Sequence, residues 1–310
     1  MKNNNCDEVT SGSDSPVWLM GVGDSLLHHK AQIKGLNEHI TVGLHKFFPH
    51  CVEHFGFTPT YWTWYDPRGA TPGLDYLLAL KELPTNLEVL VPYSHTLPLD
   101  LALEHLRMKD KKSRPWGPTT RSTYQDYSSK LSTLRDRGLK VHSLNTLNNY
   151  FLKNTVGKEL SSVSFEERFR KEQMILGTST DATTSRTDGP FESKLTYYMF
   201  PLIQYMGIKK AFVMGFDAMG GRFWAPEVPV VNGHNLKYVT DWKEWFAKLD
   251  IESYSATPSE HTHLNKFLEY MPLETAIGLS RPPTLESKKN QIENIGRILD
   301  KKFNVNIYSR

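Results

Sequence analysis

The sequence predicts an α/β fold built on a mainly parallel sheet, and three observations point there. Short apolar runs bounded by turn residues recur at wide spacing, helical stretches fall between them, and no internal repeat is visible. Strands alternating with helices make βαβ units, whose strands lie parallel. Ligands of such sheets sit beyond the carboxyl ends of the strands. The residues directly after each apolar run are therefore the first place to look for function.

In chain order, "VWLMGVG" (17–23) reads as a buried strand meeting a glycine turn. The further strands are "ITVGL" (40–44), "TYWTWYDP" (60–67), "LEVLVPYS" (87–94), "LKVHSL" (139–144), "KAFVMGFD" (210–217) and "IESYSAT" (251–257). Apolar positions at helical spacing mark "GLDYLLALKEL" (73–83), "KLTYYMFPLIQYMG" (194–207) and "DWKEWFAKL" (241–249). Residues 1–16 are polar with no apolar core, so they are expected to form a flexible tail and not a signal peptide. Residues 107–130 are basic and rich in Pro, Gly and Ser, which predicts a mobile insertion, and 177–190 form a second polar loop. Within 276–310, Ile292, Ile295, Leu299 and Phe303 share one face of an amphipathic helix accompanied by Lys288, Lys289, Arg297, Lys301 and Lys302. Packing on the protein itself is the first reading of that helix, and a peripheral membrane or partner contact is the second.

Composition narrows the function. With 310 residues, 39% hydrophobic and 23% charged, the chain can bury a sizeable core and has the make-up of a soluble globular protein. A formal charge of +3 is too small to argue for nucleic acid as a partner. No run approaches the roughly 18 apolar residues of a membrane span. Cys6 and Cys51 have no metal or disulfide spacing and suit a reducing cytoplasm.

Three strand ends carry candidate chemistry. "MGVGDSLL" (20–27) has the form of strand, glycine turn and helix start, where glycines admit close approach and free amides attract phosphate. Helix capping by Asp24 or Ser25 is the bland alternative. The third glycine of a dinucleotide fingerprint and the GK[ST] of a Walker loop are both missing. "WYDPRG" (64–69) places Asp66 where Pro67 stops the ladder, as a hydroxyl-binding carboxylate or as a turn-initiating Asp-Pro. "GFDAMGG" (215–221) repeats the arrangement with Asp217 and is not an Asp-x-Asp cation motif, so a site without metal is expected. His261 and His263 would share a face only on a strand, and with no third ligand evident from the spacing they argue weakly for zinc; "LHHK" (27–30) is weaker still. His234 follows Gly233 in an aromatic, proline-containing loop, a setting compatible with a general base or with an ordinary loop histidine.

The order of these pieces resembles the bacterial lipooligosaccharide sialyltransferases of glycosyltransferase family 42. It is also similar to the wider Rossmann-like group of flagellin-modifying nonulosonate transferases and hydroxymethylpterin pyrophosphokinase-like proteins. The matching segments are residues 21–26, Tyr65-Asp66-Pro67, Met206-Gly207-Ile208, residues 214–217, Gly233-His234 with Asp241 and the helix after it, then "SATPSE" and "NKFLEYMP". Together they span about 17–275 in order, with sparse identity. The resemblance implies a Rossmann-like sheet of GT-A-like variety with a lid over about 218–234, and a helix through the last segment. It makes His234 the general base and assigns nucleotide contacts to Gly21, Gly23, Ser25, Asp66 and Gly215, with Asp217 beside them. Arg222 is the candidate for charge on the leaving phosphate.

This sequence departs from the family at Val22 and Asp66, where the family has asparagines, and around Lys194-Leu195-Thr196, where it has Thr-Ser-Gly. The family's lid tyrosines have no clear counterparts. The expected function is metal-independent, inverting transfer of a sialic acid-like nonulosonic acid from a CMP-activated donor to a glycan, with no further cofactor. The alternatives are a Mg²⁺-dependent pyrophosphokinase using Asp66 and Asp217, or a non-catalytic binding relative. Homo-oligomer formation is implied by the resemblance alone.

Overall fold

The computed structural model describes residues 16–64, 67–91, 121–143, 199, 202–203, 206–217, 221–226, 251–282 and 284–303. Its centre is an eight-stranded sheet of order β5-β4-β3-β2-β1-β6-β7-β8, in which every neighbouring pair is parallel. The strands are β1 (Val17–Met20), β2 (Thr41–Leu44), β3 (Tyr61–Thr63), β4 (Glu88–Val91), β5 (Lys140–Ser143), β6 (Lys210–Met214), β7 (Glu252–Ser255) and β8 (Glu269–Tyr270). The helices are α1 (Lys30–Gly35), α2 (Phe47–Phe55), α3 (Pro67–Ala79), α4 (Arg121–Asp136), α5 (Leu273–Ser280) and α6 (Leu285–Phe303). The fold is α/β and Rossmann-like.

Central strands read as continuous apolar runs because helices cover both faces. Alternate side chains sort to the two sides. On one side Trp18, Met20, Trp62, Val89, Phe212 and Met214 pack against residues of α1 to α5, among them Phe48, Leu74, Leu131 and Ala276. On the other, Leu19, Val42, Leu90 and Val213 meet Ile203, Met206 and the Ile295 and Leu299 side chains of α6. The apolar stripe of α6 is thus part of the core, as the self-packing reading expects, and Lys288 reaches from the same helix to donate to the Asn37 carbonyl at 2.6 Å. Among the described residues no helix is long and apolar enough to cross a membrane.

Two expectations are corrected. Residues 121–130 were expected in a mobile insertion but form the first turns of α4. Tyr127, Leu131 and Leu134 recur there at i, i+4 and i+7 and are buried, and the Tyr127 hydroxyl accepts from Trp64 Nε1 at 3.0 Å. Second, "NKFLEYMP" is not a helix. A 3-10 turn at Leu264–Lys266 gives way to β8, which pairs Glu269 and Tyr270 with Tyr254 and Ser255, and Pro272 then starts α5. Pairing to the open edge of β7 satisfies backbone groups that a short helix ending in proline would leave free. Residues 107–120, 177–190, 194–198 and 241–249 lie outside the described residues, as do the tail through 15 and residues 304–310.

Candidate functional site

From β1 the chain runs outward through β2 to β5, then returns to place β6 on the other side of β1. The connections after β1 and β6 therefore part in opposite directions, and it is beyond the carboxyl ends at such a switch point that open α/β sheets place their ligand crevices. Gly21, Gly23 and Ser25 leave β1 here, and Gly215 and Asp217 leave β6 here, so five of the sequence-predicted residues come together. Asp66 and His234 lie outside the described residues.

The two loops are stitched to each other. Gly21 N–H donates to the Met214 carbonyl at 2.8 Å and Gly23 N–H to the Gly215 carbonyl at 2.7 Å. A Cβ on Gly21 would overlap the Gly215 carbonyl, and one on Gly23 would overlap the Asp217 carboxylate. The glycines thus permit close approach, but the approaching group is the chain's own β6 exit. Asp217, 2% exposed, accepts from Ser25 on both oxygens, from the amide at 3.0 Å and from the hydroxyl at 2.6 Å. Burial pushes its carboxyl up to about 7; the Ser25 bonds oppose that rise and nearby Asp24 adds to it.

Neither Asp24 nor Ser25 caps the 3-10 turn Asp24–His29, because both reach sideways. Asp24 Oδ2 accepts from Gly221 N–H at 2.8 Å, Asp24 N–H donates to the Gly221 carbonyl at 3.2 Å, and Phe223 N–H donates to the Val22 carbonyl at 3.2 Å. Residues 221–226, at the root of the expected lid, so fold antiparallel onto 22–24 through a Gly23–Arg222 bridge. Arg222 itself is exposed, with its guanidinium carbon 5.8 Å from the Trp224 ring centre. The amides of Gly21, Gly23, Asp24 and Ser25 all have partners within the protein. In this arrangement they make a braced turn, with the exposed Arg222 at its rim.

The third side of the crevice comes from the connection after β7, and sequence reasoning gave it little weight. His263 N–H donates to the Asp217 carbonyl at 2.9 Å. His261 ends a 3-10 turn and stacks on His28, ring centres 3.8 Å apart, so "LHHK" and "EHTHL" meet although neither is informative alone. His261 ends one 3-10 turn and His263 is the N-cap of the next, so neither lies on a strand. Three buried polar atoms on these connections have no partner among the described residues: His29 Nε2, Thr257 Oγ1 and Asn265 Oδ1. Asn265 Nδ2 meanwhile donates to the Thr257 carbonyl at 2.9 Å and to Ser259 Oγ at 3.1 Å. Burial, with His28 adding to it, holds His29 below its ordinary pKa, so its unpartnered nitrogen belongs to a neutral ring near pH 7. Buried polar atoms are nearly always satisfied, and orphans call for water or a ligand. Only the fold could have revealed this set, since its members come from the separate connections after β1 and after β7.

An open groove of about 450 Å³, lined by Lys81, Pro84, Arg137 and Lys140 among others, lies at the opposite, amino end of the sheet. It lies at the other end of the sheet from the described candidate residues, and Arg137 there is engaged in closing the end of α3 through the Leu77, Leu78 and Leu80 carbonyls. No family model, no curated protein and no solved structure matches the chain.

Proposed function

We infer that the protein is a glycosyltransferase that moves a sialic acid-like nonulosonic acid from a CMP-activated donor to a glycan acceptor, with inversion and without a metal on the phosphate. The observation that carries this reading is the convergence of three connections at the β1/β6 switch point, with orphaned buried polar atoms on the β7 side and Arg222 at the rim. The order of motifs along the sequence supports the donor class. His234 takes the proton from the acceptor hydroxyl as it attacks the anomeric carbon, and the bond to the CMP phosphate breaks. For the turn amides to reach that phosphate, residues 221–226 part from 22–24 and release Asp24 N–H, carrying Arg222 with them. Burial of Asp217, which also pushes its carboxyl up to about 7, disfavours the ionised and accessible carboxylate that Mg²⁺ needs, which counts against the Mg²⁺-dependent pyrophosphokinase alternative. The reading places the enzyme in the cytoplasm.

A thermal-shift screen with CMP, CDP, UDP, GDP and ATP, each with and without added Mg²⁺, tests it. A ligand at about 100 times its Kd stabilises by about 2.7 kcal/mol. The expected result is a shift selective for CMP or CDP that needs no Mg²⁺. An ATP shift that requires Mg²⁺ would transfer the assignment to phosphoryl transfer, and no shift with any nucleotide would remove the nucleotide site altogether. His234→Ala should lower turnover by roughly 10²- to 10⁴-fold while donor binding persists; loss of binding instead would take the base role away from His234.

A further inference from the structure

Beside the crevice, α2 carries His50, Glu53 and His54 at i, i+3 and i+4, so all three project from one face of the helix. One ligand atom from each lies within 4.8 Å of the others, the one such group among the described residues. His50 Nδ1 stands 3.3 Å from Glu53 Oε2, a long contact for a hydrogen bond. Both side chains are open to solvent, His50 at 25% and Glu53 at 55% exposure. The two rings do not swing freely. Trp224 stacks on His50 with ring centres 4.3 Å apart, and Phe223 meets His54 edge-on at 5.6 Å. Phe223 and Trp224 belong to the segment that is bridged to Gly23.

The geometry points to a divalent transition-metal site, of the zinc class, formed by His50, Glu53 and His54, whose ion fastens segment 221–226 beside α2. Two imidazoles four apart on a helix and an adjacent carboxylate are borderline ligands that suit Zn²⁺ over Mg²⁺ or Ca²⁺. Zinc–ligand bonds of about 2.0–2.2 Å place tetrahedral ligand atoms about 3.4 Å apart, which His50 and Glu53 already match at 3.3 Å, so the remaining pairs close by at most about 1.4 Å. Three protein ligands leave a fourth position for water. The ion would fix the ring orientations that Trp224 and Phe223 already select, and through them the segment that bears Arg222. This site stands apart from the transferase reading, since it uses none of the donor-binding residues and its test reads metal, not nucleotide.

The test is competitive titration of the chelator-stripped full chain with Zn²⁺, repeated with Co²⁺ to follow ligand-field absorbance. One equivalent should bind at micromolar or tighter affinity. His50→Ala and His54→Ala should each weaken binding by roughly 10- to 100-fold, and Glu53→Gln by less. His261→Ala should change nothing. Trp224→Phe should keep the affinity and lose part of the Co²⁺-dependent quenching of tryptophan fluorescence. Zn²⁺ should also slow tryptic cleavage after exposed Arg222 in the wild type but not in a His50→Ala/His54→Ala double variant. The proposal is overturned if wild type binds no Zn²⁺ at roughly 100 μM, if the double variant binds as wild type does, or if His261→Ala abolishes binding. Circular dichroism and the melting temperature of each variant separate loss of ligands from loss of fold, which partly exposed side chains should spare.

Discussion

Glu88 and Asp217 are both buried carboxylates of one sheet, at opposite ends of its strands. Glu88, 6% exposed, begins β4 at the amino end, where His142 Nε2 at 2.7 Å and Lys140 Nζ at 3.0 Å meet it from β5. Burial alone would raise its pKa, but those bonds outweigh burial and hold the carboxyl below its ordinary value. Asp217 is buried still more completely, yet its neighbours are a serine and another carboxylate. A charge neutralised in place is structural housekeeping. A buried carboxyl held near neutral pKa in a crevice, without a cation, is the pattern of functional sites. The difference sets a neutralised carboxylate at the amino end of the sheet against an uncompensated one at the carboxyl end, where the proposed chemistry lies.

The largest way to break that contrast is Gly23→Ala, which forces a methyl into the Asp217 carboxylate. It should cost about 3 kcal/mol or more in urea unfolding, or prevent folding. Gly278→Ala is the matched control: nothing lies near its added methyl, it sits within α5, and it should stabilise by about 0.5–1 kcal/mol. A native effect of Gly23→Ala no larger than that control would show that the two exits are not held together as described.

The pH dependence sharpens the comparison next. Asp217 has a folded pKa near 7 against an ordinary 3.8, so the folded state binds the extra proton between those values. Its contribution to stability is therefore full at low pH and is lost as pH rises through that window, with a limiting slope of about 1.4 kcal/mol per pH unit. Glu88 has the opposite sign, because its folded pKa is depressed below 4.5: its contribution is present above that value and is lost as pH falls. Melting curves at intervals from about pH 2 to 8 should show Asp217→Asn flattening the decline toward neutral pH. Glu88→Gln should leave that decline intact and flatten the acid limb. An Asp217→Asn profile parallel to wild type would mean the carboxyl is ionised throughout.

A smaller effect comes from Ser25→Ala. Its hydroxyl and amide bonds favour the ionised form of Asp217, and the substitution removes one of them. The expected loss is about 1–2 kcal/mol, greater at pH 8 than at pH 5. Equal losses at both pH values would argue that the proton never leaves Asp217.

The seven longer strands are legible in the sequence, most of them because they are apolar runs ended by a turn residue. β8 is not, since two exposed residues, Glu269 and Tyr270, carry no alternation to read. α4 was hidden by its own surface: Tyr127, Leu131 and Leu134 are its buried stripe, while Lys130 pairs with Asp126 and Asp75 outside. At the site, the glycines and Asp217 stand out at strand ends. What sequence cannot supply is direction, namely that Gly21 and Gly23 make room for β6 and that Ser25 turns to Asp217 instead of capping a turn. The His28–His261 stack and the unpartnered Thr257 hydroxyl depend on β7 lying two strands from β1, a fact of topology and not of local pattern.

The position of β1 also bears on synthesis of the chain. Trp18 and Leu19 pair with Thr41 and Val42 on one side, partners that leave the ribosome almost at once. On the other side their partners are Phe212 and Val213, which emerge only after well over half the chain is made. Until then the nascent sheet β1 to β5 holds an open apolar edge along its first strand, a template for wrong pairing. Closing it requires a long-range contact whose entropy is met late, so refolding should be slow and concentration-sensitive. The candidate site lies at that same seam, which makes it a late part of the sheet to be assembled.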